Sequence, residues 1–148
     1  MYSKNYVKNQ NIVSIIGIVA FFLPWISISL FNMDGMDIAS MGFLGLQSLY
    51  FVPLAFISNM VIVNSNKPDL MYVKSILFVI PFFVMFMNVK DLFIHLGVTF
   101  ESIKGSEFIS LLFESFSYGF YITIAAIIGT FLITDGVSDV DDPNFGEI

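Results

Sequence analysis

Four apolar runs occupy most of this chain of 148 residues, at 12–30, 44–63, 70–89 and 116–133. Each is about as long as a helix must be to cross the hydrocarbon core of a bilayer, which takes ~20 residues. Hydrophobic residues make up 57% of the chain and charged ones only 12%, about half the soluble norm of ~25%. The expected fold is all-α and integral to a membrane: a bundle of four transmembrane helices spanning residues 1–134. After it comes a tail, 135–148, with Asp135, Asp139, Asp141, Asp142 and Glu147 and no Lys. That tail is expected to be cytoplasmic and disordered, because so polar a segment cannot bury enough apolar surface to order itself.

Lys4 and Lys8 ahead of the first run resemble the start of a signal peptide. The run is too long for one and ends in Pro24-Trp25 rather than a small-residue cleavage site, so a retained helix is expected. Beyond Trp25 the period changes. Ile26-Ser27-Ile28-Ser29-Leu30 alternates apolar and polar, Asn32-Met33-Asp34-Gly35 reads as a turn, and residues 36–40 read as a return strand. A small extracytoplasmic hairpin is therefore expected. The polar turn 64–69 is short enough to make the second and third runs antiparallel neighbours. In the connection 90–115, Phe100, Ile103, Phe108, Leu111 and Leu112, with Phe116 just beyond, suggest an amphipathic helix, and an interfacial amphipathic segment is expected there.

All six basic residues are Lys. Lys4, Lys8, Lys67 and Lys74 flank one set of span ends, and Lys90 and Lys104 the other. Cytoplasmic loops are the Lys-rich ones, so both termini are expected in the cytoplasm of a multi-pass cell (inner) membrane protein. A net charge of −6 without Arg gives nucleic-acid binding no electrostatic support.

Sites for chemistry are few. Ionisable groups inside a span are the first functional suspects in a membrane protein. Lys74 lies about one turn into the third run and is expected to snorkel to the interface, while Trp25 is expected to anchor the first span at headgroup level. His95 is the only histidine and Cys is absent, so no set of three or four metal ligands is expected. Asp34 and Asp37 read as turn formers and Glu114 as a boundary carboxylate. Pro53 and Pro81 mark irregular helices, read as bends for packing. Gly119, Thr123, Ala126 and Thr130 fall on one face of the last run, where small side chains let a neighbouring helix approach closely. They are the expected helix-packing interface.

The segment Phe21-Phe22-Leu23-Pro24-Trp25-Ile26-Ser27-Ile28-Ser29, followed by Asp34-Gly35-Met36-Asp37, resembles the first-span ending of small four-span bacterial membrane proteins of unknown function. Tyr118-Gly119-Phe120-Tyr121-Ile122-Thr123 resembles the start of their last span. The outline, with a strand after span 1, is similar to the claudin-like tetraspan architecture, although claudins carry a cysteine pair in that loop and this chain has none. The resemblance implies an architecture and no activity.

Elimination then favours a non-catalytic accessory or scaffold subunit without cofactor. Its expected partners are the lipid bilayer, other membrane proteins and further copies of itself. A small oligomeric channel or transporter is the first alternative, but Ser58, Asn59, Ser75 and Asn88 are a sparse lining for a lumen. A membrane immunity or exclusion protein is the second.

Overall fold

The computed structural model describes residues 2–28, 31–42, 45–97 and 105–133. The acidic tail 135–148 and the positions Phe100, Ile103 and Lys104 lie outside them. The chain is mostly helical, with one small two-stranded sheet.

Helix α1 runs Lys4–Phe21. It begins eight residues before the expected span and stops well short of residue 30. Its start is set by Ser3, whose Oγ accepts the Tyr6 N–H at 3.2 Å, a cap contributing ~1 kcal/mol. Its end is set by Pro24, which cannot continue a helix and instead opens strand β1, Pro24–Ile28. Strand β2, Phe31–Asp34, pairs antiparallel with it. The hairpin is therefore present in a different register from the expected one. The residues read as its turn are the return strand, and those read as the return strand form helix α2, Gly35–Ser40. The reason is a reciprocal cap. Asp34 Oδ1 accepts the Asp37 N–H at 2.8 Å, and Asp37 Oδ2 accepts the Asp34 N–H at 3.2 Å. Two carboxylates three residues apart satisfy two backbone donors at a helix start, which outweighs the weak alternation of residues 36–40.

Residues Leu46–Tyr50 form a 3₁₀ turn that continues into α3, Phe51–Asn64. Pro53 falls in the first turn of α3, where its missing N–H costs least. At the other end Asn66 takes a left-handed φ of 52°. Asn66 N donates to Val63 O and Lys67 N to Ile62 O, the Schellman arrangement that closes a helix on its own last carbonyls. The chain then reverses through Pro68–Leu70 into α4, Met71–Met87. Asn88 stops α4: its side-chain Nδ2 donates to Val84 O at 2.8 Å, in competition with the backbone ladder. The described residues of the long connection form α5, Val89–His95, and α6, Gly105–Ser115, before α7, Tyr118–Leu132.

Helix α1 packs against both α3 and α7, and α3 against α4. Long side chains join α4 to α7: Phe78 meets Phe131 with ring centroids 6.3 Å apart, and Phe82 meets Phe120 at 6.2 Å. Two of these helices, Leu46–Asn64 and Pro68–Met87, are long and apolar enough to cross a membrane; α7 is apolar but shorter. Outward faces are apolar as well, with Ile16, Val19, Leu54, Val61, Val79, Phe83, Phe86, Ile128 and Leu132 exposed.

The hairpin end closes over Trp25. This residue is not a surface anchor: its relative exposure is 0%. The turn at Pro24 folds the indole back into the bundle, between Phe21, Phe82 and Phe120 at centroid distances of 5.4, 5.9 and 5.6 Å. Its Nε1–H donates to Ala20 O at 3.1 Å, satisfying a carbonyl of the last turn of α1.

Candidate functional site

The opposite end of the bundle holds its polar interior. Lys74 comes from the second turn of α4 on the face turned to α3 and α7, and is 1% exposed. It therefore does not snorkel. The inward face of α4 offers the ammonium two oxygens and an aromatic ring before its stem could reach the surface. Nζ donates to Asn59 Oδ1 at 3.0 Å and to Thr130 O at 2.9 Å, and lies 4.9 Å from the centroid of the Phe131 ring. A primary ammonium has three donors; two go to oxygens and the ring face receives the remaining positive charge.

Asn59 Nδ2 donates in turn to Gln10 Oε1 at 3.0 Å and to Ser14 Oγ at 2.9 Å. Gln10 Nε2 donates to Thr130 O and to Ile133 O, each at 3.1 Å. The contacts form a closed ring, from Lys74 to Asn59 to Gln10 to Thr130 and back to Lys74. Each member stands on a different long helix: α4, α3, α1 and α7. Both amides have both N–H groups engaged. Gln10, Ser14, Asn59, Lys74 and Thr130 are all buried.

Thr130 O is available because α7 ends at Leu132, and the last carbonyls of a helix have no partner within it. Lys74 and Gln10 thus cap the C-terminus of α7. A cation is favoured there by the negative end of the helix dipole. Burying a lysine carries a large desolvation cost; among the described residues the dipole, a carbonyl, an amide oxygen and an aromatic face offset it.

Of the residues singled out on α7, Gly119, Thr123, Ala126 and Thr130 are the buried ones of that helix. Thr123 returns its hydroxyl to Gly119 O at 2.8 Å and Thr130 to Ile127 O at 2.8 Å, so neither hydroxyl is left unpaired against a neighbour. A Cβ on Gly119 would lie 2.6 Å from both Leu23 O and Pro24 O. The glycine is there because α7 begins in contact with the backbone leading into β1. That seam is fastened by Ser117 N donating to Trp25 O at 2.8 Å.

His95 and Glu114 are exposed on α5 and α6. Gln10 and Ser14 were not singled out in the sequence. Their signal was the series Tyr6, Gln10, Ser14 and Gly17, a face at helical spacing that carries polar groups into an apolar run.

A second feature lies between α4, α6 and α7. There an apolar cleft of about 760 Å³ opens to the surface, lined among others by Phe83, Phe86, Ile109, Phe113, Tyr121 and Ile124. The Tyr121 hydroxyl is already engaged, donating to Phe113 O at 2.8 Å.

Compared with protein-family models, curated proteins and solved structures, the chain matches none.

Proposed function

We propose that the chain crosses the cell membrane four times, through α1, the helix leading through α3, α4 and α7, and serves as a non-catalytic accessory subunit that binds other membrane proteins. The observation that carries this reading is the closed polar ring. Its amide and ammonium donors are engaged within the bundle, which among the described residues leaves this polar group no free donor to present to a passing ion or a substrate. The reading therefore rests on outward surface, which includes the apolar cleft between α4, α6 and α7.

The apolar outward faces support the spans, since large apolar side chains are exposed along α1, α3, α4 and α7 and extended apolar surface marks contact with membrane or protein. Helix α7 is short for a span and would need local thinning of the bilayer, a modest cost per ångström of mismatch. Charge supports the orientation. Among the described residues, Lys4, Lys8, Lys67 and Lys74 stand at the end with the polar ring, against Asp69. The hairpin end has Lys90 against Asp34, Asp37, Asp91, Glu107 and Glu114. The Lys-rich end is cytoplasmic by the usual bias.

Topology is tested with single cysteines at Ser65 and Ser40, treated with an impermeant thiol reagent in intact cells. Labelling at Ser40 alone is expected; labelling at Ser65 alone reverses the orientation. Function is tested by photo-crosslinking from Phe86 and Phe113 in the cleft and from Val19 on α1. Discrete protein adducts from the cleft positions, with only lipid adducts from Val19, are expected. Ion flux in liposomes that Lys74→Met abolishes would favour the channel instead.

A further inference from the structure

The exposed face of α1 changes character within one turn. Lys4 and Lys8 are exposed on it, and directly below them so are Ile12, Ile15, Ile16 and Val19. Lys4 and Lys8 lie four residues apart, about 6 Å along the axis, and Ile12 a further ~6 Å below. A shallow groove follows this face, lined by Tyr2, Lys4, Lys8, Asn11, Ile12 and Ile15 together with Val7. Among the described residues no acidic one is part of the lining.

The groove's top is fastened to the rest of the protein. Tyr2 N donates to Asn66 Oδ1 at 2.9 Å, and the Asn11 and Asn64 amides exchange hydrogen bonds at 2.9 and 3.4 Å. The first turns of α1 are thereby held against the turn after α3. The two lysines therefore sit at a defined height above the apolar stripe.

We propose that this groove binds one anionic phospholipid, its phosphate against Lys4 and Lys8 and an acyl chain along Ile12 and Ile15. The inference rests on the membrane-spanning reading above. Charge complementarity argues for the headgroup, since two cations share a face whose described lining residues include no carboxylate. The step from Lys8 to Ile12 argues for a lipid over a soluble anion, because a free phosphate would use only the upper half of the groove. Bulk electrostatics cannot supply such a preference: the whole chain carries −6 and would be repelled by an anionic surface. The attraction must be local to these lysines.

The test uses the full chain in nanodiscs of equal parts phosphatidylglycerol and phosphatidylcholine with matched acyl chains, read by native mass spectrometry of the released protein–lipid complexes. Bound phosphatidylglycerol is expected to exceed phosphatidylcholine by on the order of tenfold, since each lysine near an anionic lipid contributes substantially. Lys4→Gln with Lys8→Gln should bring the ratio close to one. Lys90→Gln at the opposite end should leave it unchanged. Millimolar glycerol phosphate should not displace the lipid. Equal binding of the two lipids, an undiminished ratio in the double variant, or displacement by glycerol phosphate would each overturn the proposal. Thermal unfolding of the double variant, expected unchanged, separates lost binding from lost fold. Flotation after alkaline carbonate separates the two readings. A chain washed off the vesicles defeats both the spans and the site; a chain retained without lipid preference defeats the site alone.

Discussion

Lys74 Nζ donates to the carbonyl oxygen of Thr130 across 2.9 Å, and through that bond a buried cation of α4 closes the C-terminus of α7. The relation gives one residue two tasks. It neutralises the negative end of a helix dipole and ties together two helices that otherwise meet through aromatic rings. It also gives the position a strict requirement, because the acceptors around it stay buried whatever side chain replaces it.

Lys74→Met should destabilise the protein by about 1–3 kcal/mol, the usual cost of leaving a buried acceptor unsatisfied. Asn59 Oδ1 loses its donor outright, while Thr130 O keeps Gln10. Lys8→Met on the exposed face should stay within ~0.5 kcal/mol. Thermal unfolding in one detergent, followed by circular dichroism, checks both. Equal midpoints for the two variants would count against the ring.

Asn59 bonds two of the other ring residues, Lys74 and Gln10, and Ser14 besides, so its replacements should separate sharply. Asn59→Leu removes the acceptor of Lys74 and the donor of Gln10 and Ser14, and should cost more than Lys74→Met. Asn59→Asp keeps an acceptor beside the ammonium and should cost less than Asn59→Leu. A double-mutant cycle between Asn59→Leu and Lys74→Met should give a coupling of about 0.5–3 kcal/mol. Simple additivity would mean the two side chains do not act together.

Two glycines of α7 should respond differently to alanine. At Gly119 a Cβ would press on the backbone oxygens of Leu23 and Pro24 at 2.6 Å, whereas at Gly129 its nearest neighbour is a Val13 methyl at 3.1 Å. Backbone cannot retreat without moving β1, but a valine side chain can adjust. Gly119→Ala should cost about 1–3 kcal/mol, as overpacking does, and Gly129→Ala less. Unfolding midpoints in the reverse order would refute the close approach of α7 to the strand.

Trp25 is the only tryptophan, so intrinsic fluorescence reports on it alone. Packed among Phe21, Phe82 and Phe120, it should resist both aqueous acrylamide and lipids brominated near the headgroup. A tryptophan in the interfacial belt would be quenched strongly by those brominated lipids. Strong quenching would place the indole outside the protein, contrary to its burial.

Removing the reciprocal cap should loosen α2 selectively. Asp34→Ala leaves the Asp37 N–H without its acceptor and should cost ~1 kcal/mol, as lost N-caps do. Hydrogen exchange should accelerate over residues 35–40 while the amides of α3 keep their protection. A uniform rise across both would show that α2 is not an independent local unit.

The sequence by itself determined the apolar runs, the sharp turn after the second of them, the change to strand after Pro24, though not its pairing, and the inward face of α7. Those properties are local: hydrophobic length, proline chemistry and helical spacing act over a few turns. Tertiary structure alone decided where Trp25 and Lys74 point. Each sits near the end of an apolar run, where an interfacial side chain and a buried cap look identical in sequence. Their fate depends on which carbonyls of other turns lie within reach, Ala20 O for the indole and Thr130 O for the ammonium. The polar ring was illegible for the same reason. Gln10, Asn59, Lys74 and Thr130 are scattered over 121 positions of the chain, each an isolated polar residue in or beside an apolar segment. They become one site only when four helices set them at the same height, because a buried polar group must find its partners inside the protein.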